Sequence, residues 1–168
     1  MTKKENILEY QKKLAEYISH GSVSAQYKDI PETAEFLKKT FEELGGIVRV
    51  FDEGKFPLVF ADFPTEDQDA NKTTILFYNH YDVQPADPYD LWDSDPWTLT
   101  KHDGKLIGRG IADCKGDLFV RLTALKDYLD DNGHAPVHVK FLLRVLKKLL
   151  AMDYRIILRN TRIYLIRI

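Results

Sequence analysis

Apolar positions along the first 45 residues recur at helical spacing. Ile7, Leu8, Leu14, Ala15 and Ile18 line one side of residues 4–19, predicting an amphipathic helix that Gly21 and its small polar neighbours end. Pro31 suits the first turn of a second helix, and Ala34, Phe36, Leu37, Phe41 and Leu44 supply apolar positions before Gly45-Gly46 stops it. The period then changes. Ile47–Phe51 and Leu58–Phe63 read as strands joined through Glu53-Gly54-Lys55, a hairpin. Thr73–Tyr78 is a continuous apolar, β-favouring run, as expected of a strand buried on both faces. A loop with several prolines carries Trp92 and Trp97. Leu118–Leu129 then reads as a helix with Leu118, Leu122, Leu125 and Leu129 along one side, and Val137–Leu143 as a last strand. Helices alternating with strands predict an α/β fold, a mixed sheet flanked by helices.

Composition narrows the classes without choosing one. The chain has 168 residues, 44% hydrophobic and 30% charged, enough for one domain with a real core. A net charge of −2 offers no electrostatic footprint for nucleic acid. No stretch approaches the ~18 apolar residues that cross a bilayer, and no apolar leader follows Met1. The single cysteine, Cys114, excludes an internal disulfide and suits a reducing compartment, so a cytoplasmic location is expected.

The average charge hides a break. Residues 144–168 hold seven basic residues against one acid, Asp153, a local charge of +6, while residues 1–143 carry 17 basic and 25 acidic residues, or −8. Such a shift marks a boundary, a binding tail or sequence of different origin.

Two segments carry candidate chemistry. His80 and Asp82 follow the run Thr73–Tyr78, and strand C-terminal ends are where open α/β sheets bind ligands. A spacing of two on an extended segment puts both on one side, so one can be a metal ligand and the other its supporting carboxylate. Taken alone, His80-x-Asp82 reads rather as a polar loop with a satisfied histidine. The second segment runs from Gly108-Arg109-Gly110 through Asp113, Cys114, Lys115, Gly116 and Asp117 to a helix. Its three glycines let the backbone approach a ligand closely, and Asp113 is the carboxylate inside that frame. Turn and capping duty is the plain alternative. The P-loop spacing is missing. Cys114 reads as a small buried hydrophobe, though its sulfur could hold zinc. His20 and His134 sit by glycines as C-cap or solvent residues, His102 lies in a polar turn, and His138 alternates with Val137 and Val139 as core-edge packing.

Together the segments resemble the dinuclear zinc hydrolases that include carnosinase-type dipeptidases, succinyl-diaminopimelate desuccinylase, acetylornithine deacetylase and glutamate carboxypeptidase. The resemblance runs over residues 5–143 and rests on an ordered series. His80-Tyr81-Asp82-Val83-Gln84-Pro85 comes first, then Leu91-Trp92-Asp93, Pro96-Trp97, Asp103-Gly104-Lys105-Leu106, and Gly108-Arg109-Gly110 with Asp113, Lys115 and Gly116. The run Val83 to Pro88 favours the dipeptidase branch. What the resemblance implies is a substrate with an amide bond, a small peptide or N-acyl amino acid, and two zinc ions, with cobalt or manganese as substitutes. His80 would be a terminal ligand and Asp113 the bridging carboxylate, with Asp82 serving catalysis by orienting His80. Residues 1–143 would then be the N-terminal part of the catalytic domain. The lid domain, through which full-length relatives form homodimers, would lie outside this chain.

The chain also departs from that pattern. Cys114 stands where such relatives carry a second aspartate. The family's paired glutamate, further carboxylate and C-terminal histidine have no counterparts, since no Glu follows Glu66 and no His follows His138. One added base regroups a permitted set of codons for 144–154 into Glu-Gly-Val-Glu-Glu and beyond, the motif expected there. Residues 144–168 are therefore expected to be an out-of-frame translation, and the chain itself inactive. The competing expectation is a non-catalytic binding or regulatory fragment whose basic tail meets a membrane surface or an acidic partner.

Overall fold

The computed structural model describes residues 3–51, 56–66 and 73–145. The order is α1 (Lys3–Ser19), α2 (Ile30–Glu43), β1 (Ile47–Phe51), β2 (Leu58–Phe63), β3 (Thr74–His80), β4 (Thr100–His102), β5 (Lys105–Ile107), α3 (Lys115–Asn132) and β6 (His138–Arg144). The fold is α/β with a mixed sheet, as the periodicity predicts. Pro31 sits in the first turn of α2 and Gly45, at φ +89°, follows its end. Gly133 closes α3 in the left-handed conformation, its N–H donating to the Leu129 carbonyl at 2.7 Å.

The main sheet runs β1-β2-β6-β3. β1 and β2 form the expected antiparallel hairpin, β2 pairs antiparallel with β6, and β6 pairs parallel with β3. Parallel neighbours need a crossover, and α3 is the helix in it. Val139, Phe141 and Leu143 of β6, with Val59, Ala61 and Phe63 of β2, point into one core. There they meet Tyr17 and Ile18 of α1, Leu37 and Phe41 of α2, and Leu118, Leu122 and Leu125 of α3. Leu129 packs against this core from its edge.

Three expectations need correction. Thr73–Tyr78 is not buried on both faces: β3 has a neighbour on one side only among the described residues, and Ile75 and Tyr78 are 42% and 48% exposed. An apolar β-branched run fits a pleated surface at an edge as well as at the centre, and the well-covered strands are β2 and β6. His102 is not in a turn but ends β4, whose short hairpin with β5 turns at Asp103-Gly104. His138 does more than pack at the core edge, because its Nε2 pairs with the Asp62 carboxylate across β2 and β6.

β6 runs through Arg144, and Val145 is buried in the core. Residues 146–168, on which most of the tail expectation falls, lie outside the described residues. Among the described residues no helix is long and apolar enough to cross a membrane.

Candidate metal centre

β3 extends two residues beyond its apolar run and ends on His80. The segment after it is pinned at three points. Tyr81 N–H donates to the Arg144 carbonyl at 2.9 Å, the buried Tyr81 hydroxyl to Pro57 at 2.6 Å, and Val83 N–H to Ser22 at 2.9 Å. Asp82, held between these anchors, is buried at 3% exposure.

The opposite wall is the glycine-rich turn before α3. Gly110 stands at φ +93°, and a Cβ there would press on the Lys115 side chain and Val83. A Cβ at Gly116 would fall on the Ile111 carbonyl oxygen. Lys115 N–H donates to the Gly110 carbonyl at 2.8 Å, which closes the turn. The Lys115 side chain is fully buried. Its Nζ donates to the Tyr17 and His20 carbonyls at 2.8 and 2.7 Å and lies 4.5 Å from the Tyr17 ring centre. It thus caps the C-terminal end of α1, whose last turn has no basic residue of its own. Burial pulls its pKa down to about 7, against the pull of Asp29.

These two walls bring the predicted residues together. His80 Nε2 lies 2.9 Å from Asp113 Oδ1, with Asp113 largely exposed and His80 half-buried. His80 Nδ1 lies 2.9 Å from the Asp82 main-chain carbonyl and 3.5 Å from its carboxylate. The orientation expected of the Asp82 carboxylate is therefore shared with its own carbonyl. The His80 pKa is raised to about 11, chiefly by the Asp82 carboxylate, then by Cys114, with burial opposing.

The donor set fits a metal. His80, Asp113 and Cys114 offer nitrogen, oxygen and sulfur atoms that all lie within 4.8 Å of one another. With Nδ1–H committed to Asp82, Nε2 is the nitrogen left to bind a cation. The site opens into a cavity of about 530 Å³ lined by His80, Asp82, Gln84, Trp92, Arg109 and Asp113 among others. Arg109 stacks on Trp92 at 4.8 Å and donates to the Pro85 carbonyl at 3.0 Å.

Known proteins can be set beside this geometry. Residues 76–145 match the model of peptidase family M20/M25/M40, a span that includes His80, Asp82 and Asp113. Over these residues the chain is similar to that family. It is 34% identical over 142 residues to a Cys-Gly metallodipeptidase of Schizosaccharomyces pombe, covering 78% of this chain and 30% of that enzyme. It is 41% identical over 87 residues to the Beta-Ala-His dipeptidase of Mus musculus, covering 52% of this chain and 17% of that one. Among solved structures, an M20 family metallo-carboxypeptidase from Sulfolobus solfataricus aligns with a TM-score of 0.78 at 35% identity, over 92% of this chain and 35% of the other. The chain spans less than a third of the length of these two curated M20 relatives.

Sequence reasoning brought forward His80, Asp82 and Asp113 but gave no role to Lys115 or Asn79. Asn79 donates to the Cys114 sulfur at 3.0 Å, and Lys115 bonds main-chain carbonyls. Neither partnership leaves a periodic or spaced signal in sequence.

Proposed function

We propose that residues 73–145 supply the His80–Asp113 part of a metal centre that hydrolyses the amide bond of a dipeptide or N-acyl amino acid. The observation that carries this reading is the 2.9 Å approach of His80 to Asp113 at the wall of a cavity large enough for a small peptide. The dipeptidase names of two M20 relatives support the substrate class. His80 would bind through Nε2 and Asp113 through its exposed carboxylate, to zinc first, with cobalt or manganese accepted by the same ligand types. The chemistry that His80 and Asp113 would gain from a bound divalent cation is polarisation of the scissile carbonyl and a lowered pKa for a nearby water.

The chain's own residues do the positioning. Asp82 fixes the His80 ring so that Nε2 faces Asp113. Lys115 and Gly116 hold the turn that carries Asp113 against α1. Arg109 and Trp92 form one stacked wall of the cavity, a cationic and apolar surface against which a small peptide can lie. No glutamate is among the described residues that line this cavity. We propose accordingly that the chain by itself turns over no dipeptide, because a general base has to be added to it.

A transplant tests this. Residues 73–145 replace the matching stretch of the Schizosaccharomyces pombe Cys-Gly dipeptidase, and metal-dependent hydrolysis of Cys-Gly is measured. The reading predicts activity in the hybrid, lost on His80→Ala or Asp113→Ala. A folded hybrid that hydrolyses Cys-Gly equally well with either substitution would overturn it.

A further inference from the structure

We infer that Arg121, Asn79 and Cys114 form a clasp that sets the distance between His80 and Asp113, so that Arg121 tunes metal affinity from outside the cavity. The three are positioning residues, and none of them is among the described residues that line the cavity. The inference rests on the metal reading above and concerns what holds its two ligands together.

Asp113 does not place itself. Its side chain is 83% exposed, and among the described residues the partner of its carboxylate is His80. Its position follows from the main chain beside it, and there Cys114 is sewn to β3 twice. The Cys114 thiol donates to the His80 carbonyl, and its sulfur accepts from the Asn79 amide, each at 3.0 Å. Asn79 precedes His80 in β3 and is buried. The other end of its amide is held as well, because Oδ1 accepts from the Arg121 guanidinium of α3. Arg121 follows Cys114 by about two helical turns, so both come from one side of the helix. The guanidinium also lies 5.7 Å from the centre of the Phe77 ring. Phe77 and Asn79 alternate onto the same face of β3, and Arg121 thus grips the strand at two places.

An amide bonded at both ends has one orientation, since its oxygen needs a donor and its nitrogen an acceptor. The Arg121 charge polarises that amide and strengthens its bond to the sulfur. Among the described residues β3 has a neighbour on one side only, β6, so strand pairing steadies it along a single edge. The clasp adds a hold toward α3, at the end of the strand that carries His80. Metal–ligand bonds of about 2.0–2.2 Å tolerate errors of about 0.2 Å. Slack at this joint therefore shows in metal affinity before it shows in folding.

Zinc titration and imidazole NMR of the whole chain test this. Arg121→Met keeps a stem against Phe77 and removes the donor to Asn79. We expect zinc binding about tenfold weaker, the scale on which loss of a ligand's supporting partner is felt, at a Tm close to the native one. Asn79→Ala should weaken zinc binding at least as much. Adding Arg121→Met to it should then do nothing more, because Arg121 acts through Asn79. Arg121→Lys can still donate and should recover part of the loss. In the metal-free chain the His80 Nε2–H signal, sheltered by its bond to Asp113, should weaken in Arg121→Met. Native zinc affinity in Arg121→Met, or losses that add in the double variant, would overturn the clasp. If Asn79→Ala does not fold, Arg121→Met set against Arg121→Lys decides. A native chain that binds no zinc would overturn the metal reading alone, and the imidazole signal would then decide the clasp.

Discussion

His80 Nε2 and Asp113 Oδ1 meet at 2.9 Å across 33 residues of sequence, one at the end of β3 and the other in the turn that opens α3. The meeting is a product of topology. β3 and β6 are parallel neighbours, so the chain must cross over between them, and the crossover brings the turn before α3 back to the C-terminal end of β3. Neither residue owes its place to the other.

That independence predicts how substitutions behave. Asp113 is 83% exposed at its side chain, so Asp113→Asn should change stability by no more than about 0.5 kcal/mol. Metal binding should nevertheless fall sharply. Thermal melting paired with metal titration checks this, and a large loss of Tm would show that Asp113 is a structural residue.

The turn itself should be intolerant. A Cβ at Gly116 falls on the Ile111 backbone oxygen, which cannot swing aside as a flexible side chain would. Gly116→Ala should cost about 1–3 kcal/mol in denaturant unfolding, the range for forced overpacking, and should weaken metal binding by moving Asp113. An unchanged midpoint would mean that the turn relaxes freely.

Lys115→Met keeps an apolar stem but removes the donor that serves the Tyr17 and His20 carbonyls. Carbonyls left without a partner in a buried setting should cost about 1–3 kcal/mol. Amide hydrogen exchange should speed up in the last turn of α1 first. Uniform loss across the chain would place the role of Lys115 elsewhere.

How much of this was legible in sequence depends on what kind of signal each feature leaves. The helices α1 and α2 and the hairpin of β1 and β2 are local patterns, and they stand where expected. Ile7 and Leu8 of the first repeat nevertheless lie on the exposed side of α1, whose buried side carries Tyr10, Leu14, Tyr17 and Ile18. His80 and Asp113 were found as candidates because each sits in a distinctive short motif at an element end. The position of β3 in the sheet was not legible. Ile75 and Leu76 look the same at an edge as at a centre, and strand order is fixed by long-range pairing with β6. The hairpin of β4 and β5 was missed because each strand has three residues, too few to show alternation. The partners of Cys114 were hidden for a related reason, since Asn79 and Arg121 approach it from two different elements.

A pH effect follows from His20, whose ring lies against that of Phe36, tilted 45° with centroids 5.2 Å apart. Burial first, and then the Lys115 charge, hold its pKa below the ordinary 6.5. The unfolded chain therefore takes up a proton near pH 6.5 while the folded chain still resists. Folding stability contributed here is present above that pH and is lost as pH falls through the folded value. Between pH 7 and pH 5 the native chain should lose more Tm than His20→Gln does. Equal losses would remove His20 from the account.

The central claim is that His80 and Asp113 hold a metal ion together. Zinc titration by calorimetry of the metal-free chain, beside His80→Ala and Asp113→Asn, measures this most directly. The account predicts zinc binding by the native chain that each substitution abolishes or weakens at least tenfold, with all three proteins melting as folded domains. Native zinc binding left unchanged by both substitutions would contradict it.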